Sequence, residues 1–324
     1  MRNLSNQEKR MRKMITILGP TASGKTSLAA RLAYRLSLTG TVAEILSADS
    51  RQVYRGMDIG TGKDLKDYSV QGIEVRHHLI DICEPGTKYN LFEYQQDFHR
   101  AYQEILERGS LPILCGGTGL YLEAVLRGYQ LSPVPQNQAL RDRLEGKSLE
   151  ELTALLAELK ERNHSAMHNR TDVDTAQRAI RAIEIETYCL EHPAELRRLP
   201  PVESDVFGIT VDRDVRRERI SRRLRQRLDE GMAEEIKSLL NRGIPAGDLL
   251  YYGLEYKYVT EYVIGILSYD EMVRQLEIAI HQFAKRQMTW FRGMERRGVT
   301  INWLDGQLSE DAMIDKILDY GKRG

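Results

Sequence analysis

Eight residues near the amino end have the types and spacing to hold a polyphosphate. Gly19, Pro20, Thr21, Ala22, Ser23, Gly24, Lys25 and Thr26 read G-x-x-x-x-G-K-T. The glycines let backbone N–H groups close around phosphate oxygens. Lys25 adds a full positive charge, and the Thr26 hydroxyl can ligate Mg²⁺. Such a loop works only between a strand and a helix. An apolar run at 14–18 precedes it and a helical pattern at 27–33 follows, so both flanks are present. The loop specifies a polyphosphate but neither its identity nor its fate.

Other candidates stand where further apolar runs end. Residues 43–47 lead into Ala48-Asp49-Ser50-Arg51-Gln52. Parallel α/β sheets bind ligands at the carboxyl ends of their strands, so Asp49 is placed for chemistry. It can equally do no more than cap the next turn, and both readings stand at this point. Residues 111–115 lead into Gly116-Gly117-Thr118, whose glycines allow close backbone approach and whose hydroxyl lies at the same edge. The loop at 56–63 is Gly-rich, with acids and a base, and serves either a substrate or its own turns. His77 and His78 lie in a run, 73–82, that reads as one strand. Neighbours in a strand face opposite ways, which argues against a two-histidine metal site.

Two helical stretches carry unusual charge. Between 213 and 227 stand Arg213, Arg216, Arg217, Arg219, Arg222, Arg223, Arg225 and Arg227. Planar guanidinium groups suit bidentate phosphate contacts, though a surface helix could pair them with distant acids. From His281 to Arg292, basic residues alternate with Phe283, Trp290 and Phe291. That mixture binds single-stranded RNA by charge and stacking, and aromatic residues on helices also serve cores.

The elements that must position these residues follow a β-α-β-α-β order to about residue 127, which predicts a parallel sheet with helices on both faces. The pattern then breaks. Residues 128–200 carry almost no strand signal, and helices are predicted over 137–144, 148–163 and 172–190. Strands return at 205–211 and 299–303, with helices at 232–241, 254–264 and 268–292 between them. The expected organisation is a tail at 1–13, an α/β core from 14–127 and 201–324 with C-terminal helices, and an all-helical insertion at 128–200.

With 47 basic and 47 acidic residues in 324, no bulk charge advertises nucleic acid. Cys83, Cys115 and Cys189 form no C-x-x-C pair and suggest neither a disulfide framework nor a zinc site. No run is long enough to span a membrane, and the basic amino end lacks a signal peptide's apolar middle. A soluble, cytoplasmic monomer is expected.

Taken in order, several stretches resemble the tRNA dimethylallyltransferase family over about residues 14–305. They are the phosphate loop, 47–54, 57–61, Gly116-Gly117-Thr118 with Leu120-Tyr121, 174–181 and 284–292. The loop alone is shared with many nucleotide- and ATP-binding proteins; the combination is specific. The resemblance implies a P-loop NTPase-like α/β fold whose loop binds dimethylallyl pyrophosphate and Mg²⁺, the metal held through Thr26. It implies a general base at Asp49, a diphosphate-binding arginine at Arg223, and Thr118 beside the reacting centre. It also implies contacts to a tRNA anticodon stem-loop from Asp49, Ser50, Arg51, Gln52, Thr118, Arg141, Gln177, Arg178, Ala179, Ile180, Arg181, His281, Gln282, Lys285 and Arg286. The insertion would then bind tRNA, and the product would be a dimethylallyl group on N6 of the adenine just 3′ of the anticodon. A transferase acting on free AMP, ADP or ATP, a small-molecule kinase and a non-catalytic RNA-binding relative are the alternatives.

Two departures stand out. The family usually reads Gly-Tyr followed by a basic residue where this chain has Gly253-Leu254-Glu255, and Thr-Arg where it has Ile280-His281. Both are expected to weaken the tRNA side and leave the diphosphate side intact.

Overall fold

The computed structural model describes residues 13–131, 133–163, 173–192 and 199–323. Its elements run β1 (Met14–Leu18), α1 (Lys25–Ser37), β2 (Ala43–Ala48), β3 (Ser69–Val70), β4 (Ile73–Glu74), β5 (His77–His78), α2 (Leu91–Glu107), β6 (Leu111–Gly116) and α3 (Gly119–Arg127). Next come α4 (Gln138–Leu144), α5 (Leu149–Arg162), α6 (Ala176–Glu191), β7 (Ser204–Thr210), α7 (Arg213–Asp229), α8 (Met232–Asn241), α9 (Ala246–Leu249) and α10 (Leu254–Val263). The chain closes with α11 (Tyr269–Arg296), β8 (Asn302–Asp305) and α12 (Glu310–Arg323). No helix among the described residues is long and apolar enough to cross a membrane.

Residue contacts divide the chain into two units, Met1–Arg127 with Pro201–Gly324, and Gly128–Pro200. The first is built on a parallel sheet of order β5-β2-β6-β1-β7-β8. Strands β2 and β6 are buried along their whole length, as strands covered on both faces must be. Alternate residues feed two cores. Leu18, Leu46 and Leu114 join the one that packs α2, α3, α7, α8, α10 and α11. Ile17, Ile45 and Ile113 join the one beneath α1 and α12. All the parallel strands end on one edge, so the loops after β1, β2 and β6 are brought together there.

The second unit holds α4, α5 and α6 around Leu140, Leu144, Leu152, Leu156, Ala179 and Ile183. Asn137, Ser148 and Thr175 cap their helices through side-chain oxygens. The carboxylate of Glu184 is wholly buried. It accepts from Arg141 at 2.7 and 2.9 Å, from Arg181 at 3.0 Å and from the Asn137 backbone at 2.9 Å.

Three local expectations change. The run 73–82 is not one strand. β4 folds back on β3 through Gln71 and Gly72, both at positive φ, and only β5 joins the main sheet. Leu79 and Asp81 also take left-handed backbone, which ends strand geometry at once. The last strand lies at 302–305, three residues beyond its expected start. After it comes α12, for which no helix was expected. Its signals are present in Ser309, which caps Ala312 N–H, and in Met313, Ile314 and Ile317 on one face. The basic segment before residue 13 lies outside the described residues; Lys13 itself pairs with Asp205 at 2.7 Å.

At the far edge, buried Glu44 collects Arg108 at 2.8 and 3.0 Å and His78 Nε2 at 2.8 Å. Burial alone would raise its pKa, but hydrogen bonds from Arg108, His78 and Ser110 outweigh that and hold it at about 2. A carboxyl depressed from 4.5 contributes stability that is complete above that value and fades as pH falls toward 2. Glu44→Gln is therefore expected to cost about 1–3 kcal/mol near neutral pH. The difference in melting temperature from wild type should narrow as the pH is lowered through 4.5, and a constant gap would contradict this account.

Candidate active site

The phosphate loop turns sharply between β1 and α1. Ala22 and Gly24 both adopt left-handed backbone, at φ 59° and 82°, which directs successive N–H groups to one side. Thr26 lies in the first turn of α1 and lines two adjoining clefts of about 430 and 530 Å³. Its hydroxyl makes no hydrogen bond among the described residues, so it is free to meet a ligand. Ser23 Oγ is buried inside the loop, also without a partner. Lys25 is half-buried and lines both clefts. Burial lowers its pKa, and Arg223 and Arg227 lower it further against the opposing pull of Cys115 and Asp49.

One side chain from a distant helix fixes the loop. Gln287 of α11 accepts from Thr21 N–H at 2.8 Å and donates to the Gly117 carbonyl at 2.9 Å. The loop after β1 is thereby tied to the turn after β6. That turn is tied in turn to the end of β2. Thr118 N–H donates to the Ala48 carbonyl at 3.1 Å, and Thr118 Oγ1 accepts from Ser50 N–H at 3.0 Å.

Asp49 sits on this bracket. Its Oδ1 accepts from Arg51 N–H at 2.9 Å, so the turn-capping role is real. No hydrogen bond holds Oδ2 among the described residues, and Asp49 lines the larger cleft with Thr21, Lys25, Thr26, Thr118 and Arg223. The turn-capping bond uses one oxygen and leaves the other without a hydrogen bond among the described residues. Arg223 donates to Asp64 and lines both clefts.

The Gly-rich loop is a rigid wall. Glu235 of α8 accepts from the N–H groups of Asp58, Ile59 and Gly60 at 2.8, 2.7 and 3.1 Å. Gly60 lies so close to the Tyr256 ring that a Cβ there would stand 2.6 Å from it. Lys63 is buried and donates to the Tyr54 carbonyl at 2.6 Å, to Asp58 at 2.7 Å and to Asp81. The base in this loop is therefore structural, while Gly60, Thr61 and Gly62 line the larger cleft.

The RNA-side candidates separate. Ser50, Arg51, Thr118 and Arg286 line the larger cleft, whose wall also carries Tyr251, Phe283 and Trp290. Arg51 lies 5.5 Å over the Tyr251 ring and Arg286 5.9 Å over Phe283. Gln282 and Lys285 are exposed on α11. His281 is half-buried, 3.9 Å from Glu277. Gln52 is buried, and both ends of its amide are taken, by Ser47 at 3.3 Å and by the Gly62 carbonyl at 3.1 Å. It braces the wall, and it too is among the residues lining the larger cleft. In the helical unit Gln177 and Arg178 are exposed, with Arg178 paired to Asp174 at 3.2 Å. Ala179 is fully buried and its side chain offers no surface for RNA, while Ile180 is half-buried against the same core. Arg141 and Arg181 are committed to Glu184, and Arg181 also to the carbonyls of Val134 and Pro135.

Of the two departures, Glu255 lies in the first turn of α10, 3.9 Å from Arg227, and lines the larger cleft with Lys25 and Arg223 as well as with Arg51 and Arg286. Gln287 and Glu235 were not singled out from the sequence, and Arg227 only as one of eight arginines on its helix, because each acts on loops remote in the chain. Burial of polar residues on otherwise apolar helix faces, as at Gln287 beside Ala284 and Met288, is the signal that could have marked them.

Comparison with known proteins comes from three directions. A family model described as IPP transferase matches residues 52–294. The chain is 61% identical to tRNA dimethylallyltransferase 1 of Parabacteroides distasonis, over 93% of this chain and 95% of that one. Its fold is similar to that of the tRNA isopentenylpyrophosphate transferase of Bacillus halodurans, with TM-score 0.67, 33% identity and 95% of each chain covered. A eukaryotic dimethylallyltransferase acting on tRNA shares the fold at TM-score 0.69 and 19% identity, over 91% of this chain and 74% of that one.

The Gln287 tie generates a direct expectation. Gln287→Leu keeps the volume but strands Thr21 N–H and the Gly117 carbonyl. It should lower stability by about 1–2 kcal/mol and weaken inorganic pyrophosphate binding, both readable by melting and calorimetry. Unchanged pyrophosphate affinity would mean the loop holds its shape without the tie.

Proposed function

This chain belongs to the IPP transferase family, and we propose that it transfers a dimethylallyl group from dimethylallyl pyrophosphate to N6 of the adenine 3′-adjacent to the anticodon of tRNA, releasing pyrophosphate. The observation that carries the reading is the larger cleft, which Asp49, with one carboxylate oxygen left without a hydrogen bond among the described residues, lines together with Lys25, Thr26 and Arg223. One end suits a leaving diphosphate and the other a nitrogen nucleophile.

An exocyclic adenine amine is a weak nucleophile because its lone pair is delocalised into the ring. In the proposed step the N6–C1 bond forms as the C1–O bond of the donor breaks. The bonding electrons leave with the diphosphate, and the N6 proton passes to Asp49. Lys25, Arg223 and the loop N–H groups stand where that negative charge grows. Thr118, bonded to Ser50, keeps the Asp49 turn in register with the phosphate loop.

Mg²⁺ fits these residues. The unpartnered Thr26 hydroxyl would supply one oxygen ligand, and no cluster of three or more His, Cys, Asp or Glu exists among the described residues to make an all-protein cage. A magnesium ion held by Thr26 and the diphosphate would neutralise part of the leaving charge. Arg51 and Arg286, with Tyr251 and Phe283 beneath them, are suited to meeting an unstacked loop base. We place Gln282 and Lys285 on the same RNA-facing side of α11, and Gln177 and Arg178 among the RNA contacts of the helical unit.

The test uses enzyme, Mg²⁺, dimethylallyl pyrophosphate and an adenine-bearing anticodon stem-loop, followed by mass measurement of the RNA. Wild type is expected to add one prenyl mass. Asp49→Ala should slow the addition by roughly 10²–10⁴-fold at retained RNA affinity. Prenylation of free AMP in place of the stem-loop, or phosphate transfer from ATP, would decide for an alternative. A second expectation concerns pH. Because burial and the two arginines lower Lys25 from its ordinary 10.5, pyrophosphate affinity should fall with rising pH before that value is reached. Lys25→Arg should move the falling limb to higher pH in the same titration.

A further inference from the structure

Arg227 is buried in the wall shared by the two clefts, 8% exposed. Its Nη1 lies 3.9 Å from Glu255 and its Nη2 4.0 Å from Asp64, both beyond hydrogen-bond length. No hydrogen bond to the guanidinium is present among the described residues. The chain has nonetheless made room for it. Gly62 takes left-handed backbone at φ +63°, and a Cβ at that position would run into Nη2. Burial lowers the Arg227 pKa, and neighbouring Arg223 lowers it further. A buried guanidinium beside a second cation, with carboxylates too far to hydrogen-bond, is unfavourable unless an anion completes it.

We propose that Arg227 is a diphosphate-binding residue of the donor site, a third cation beside Lys25 and Arg223, and that Glu255 is its positioning residue. The inference rests on the donor being a diphosphate, as proposed above. The two clefts are lined by nine cations, among them Lys25, Arg223 and Arg227, and by five carboxylates, among them Asp49, Asp64 and Glu255, so the lining is net positive before a donor arrives. An arriving diphosphate gives the open donors of Arg227 two oxygens to span, which a planar fork does better than a point charge. Glu255 then keeps the guanidinium from swinging out toward solvent. The family resemblance leads one to expect a basic residue at position 255. Here the cation is mounted on α7 and its counter-charge on α10, so the sign of the wall facing the phosphates is retained.

The test is calorimetric titration of the full chain with inorganic pyrophosphate and Mg²⁺, alongside binding of the anticodon stem-loop. Arg227→Met, close in volume, should weaken pyrophosphate about ten-fold, equivalent to about 1.4 kcal/mol, and leave RNA affinity within about two-fold. Adding Glu255→Arg to Arg227→Met returns a cation from the other helix and should restore most of the loss, which a merely structural role for Arg227 would not produce. Unchanged pyrophosphate affinity in Arg227→Met at an unchanged melting temperature overturns the proposal. So does a double variant no tighter than the single one. If Arg227→Met melts early, Arg227→Lys takes its place: a loss of about two- to four-fold supports the assignment and no loss refutes it. A wild-type chain that ignores pyrophosphate would defeat the diphosphate reading itself, which separates that failure from failure of the Arg227 assignment.

Discussion

Buried positive charge at the carboxyl edge of the sheet is the constraint around which this structure is arranged. Lys25 loses hydration by burial and is pressed further by Arg223 and Arg227. Holding such charges together in a low-dielectric wall is unfavourable, and loose loops would relieve it by swinging the side chains into water. The bracing around the clefts prevents that escape. Gln287 ties the phosphate loop to Gly117, Thr118 ties that turn to the end of β2, and Asp64 holds Arg223. A site that stays cationic before its ligand arrives is preorganised for a leaving group that gains negative charge.

The same logic accounts for the wall at 56–63. Its glycines bring backbone against Tyr256 and Arg227, which no side chain would permit. Backbone that close must not move, and two charged residues hold it. Glu235 takes three successive N–H groups, and buried Lys63 gathers two carboxylates and a carbonyl. Gln52 closes the ring through the Gly62 carbonyl. Residues that look in sequence like substrate ligands are here the means by which Gly62 and Asp64 meet the arginine helix.

How much of this was legible follows from the distance over which each interaction acts. The phosphate loop, the Asp49 turn and Thr118 each lie at a strand's carboxyl end, and the strand and turn are both local patterns, so they could be read directly. The parallel sheet followed from the alternation of strand and helix. Arg227 and Glu255 could not be paired by reading, since α7 and α10 are brought together only by the core beneath them. Gln287 sits 266 residues from the N–H it binds. Arg141 and Arg181 looked like free cations because their shared partner, Glu184, is an acid buried beside Ala179 and Ile183, where sequence leads one to expect solvent. The break in 73–82 depends on left-handed backbone at Leu79 and Asp81, residue types that give no warning of it.

Helix α11 joins the two ends of the chemistry. One face, with Ile280, Ala284, Gln287 and Met288, is buried against the core and the phosphate loop. The other exposes Gln282, Phe283, Lys285 and Arg286, with Arg286 over the Phe283 ring. Adjacent residues 286 and 287 therefore point to the exposed face and to the phosphate loop. A helix held by ten buried residues transmits little slack between its faces. On the proposed function, an adenine set by the outer face would be fixed in depth relative to the phosphate loop, and in-line attack at an allylic carbon tolerates little error in that depth. The basic-aromatic mixture that reads in sequence as RNA-binding is half of that statement; the buried amide between Arg286 and Met288 is the other half.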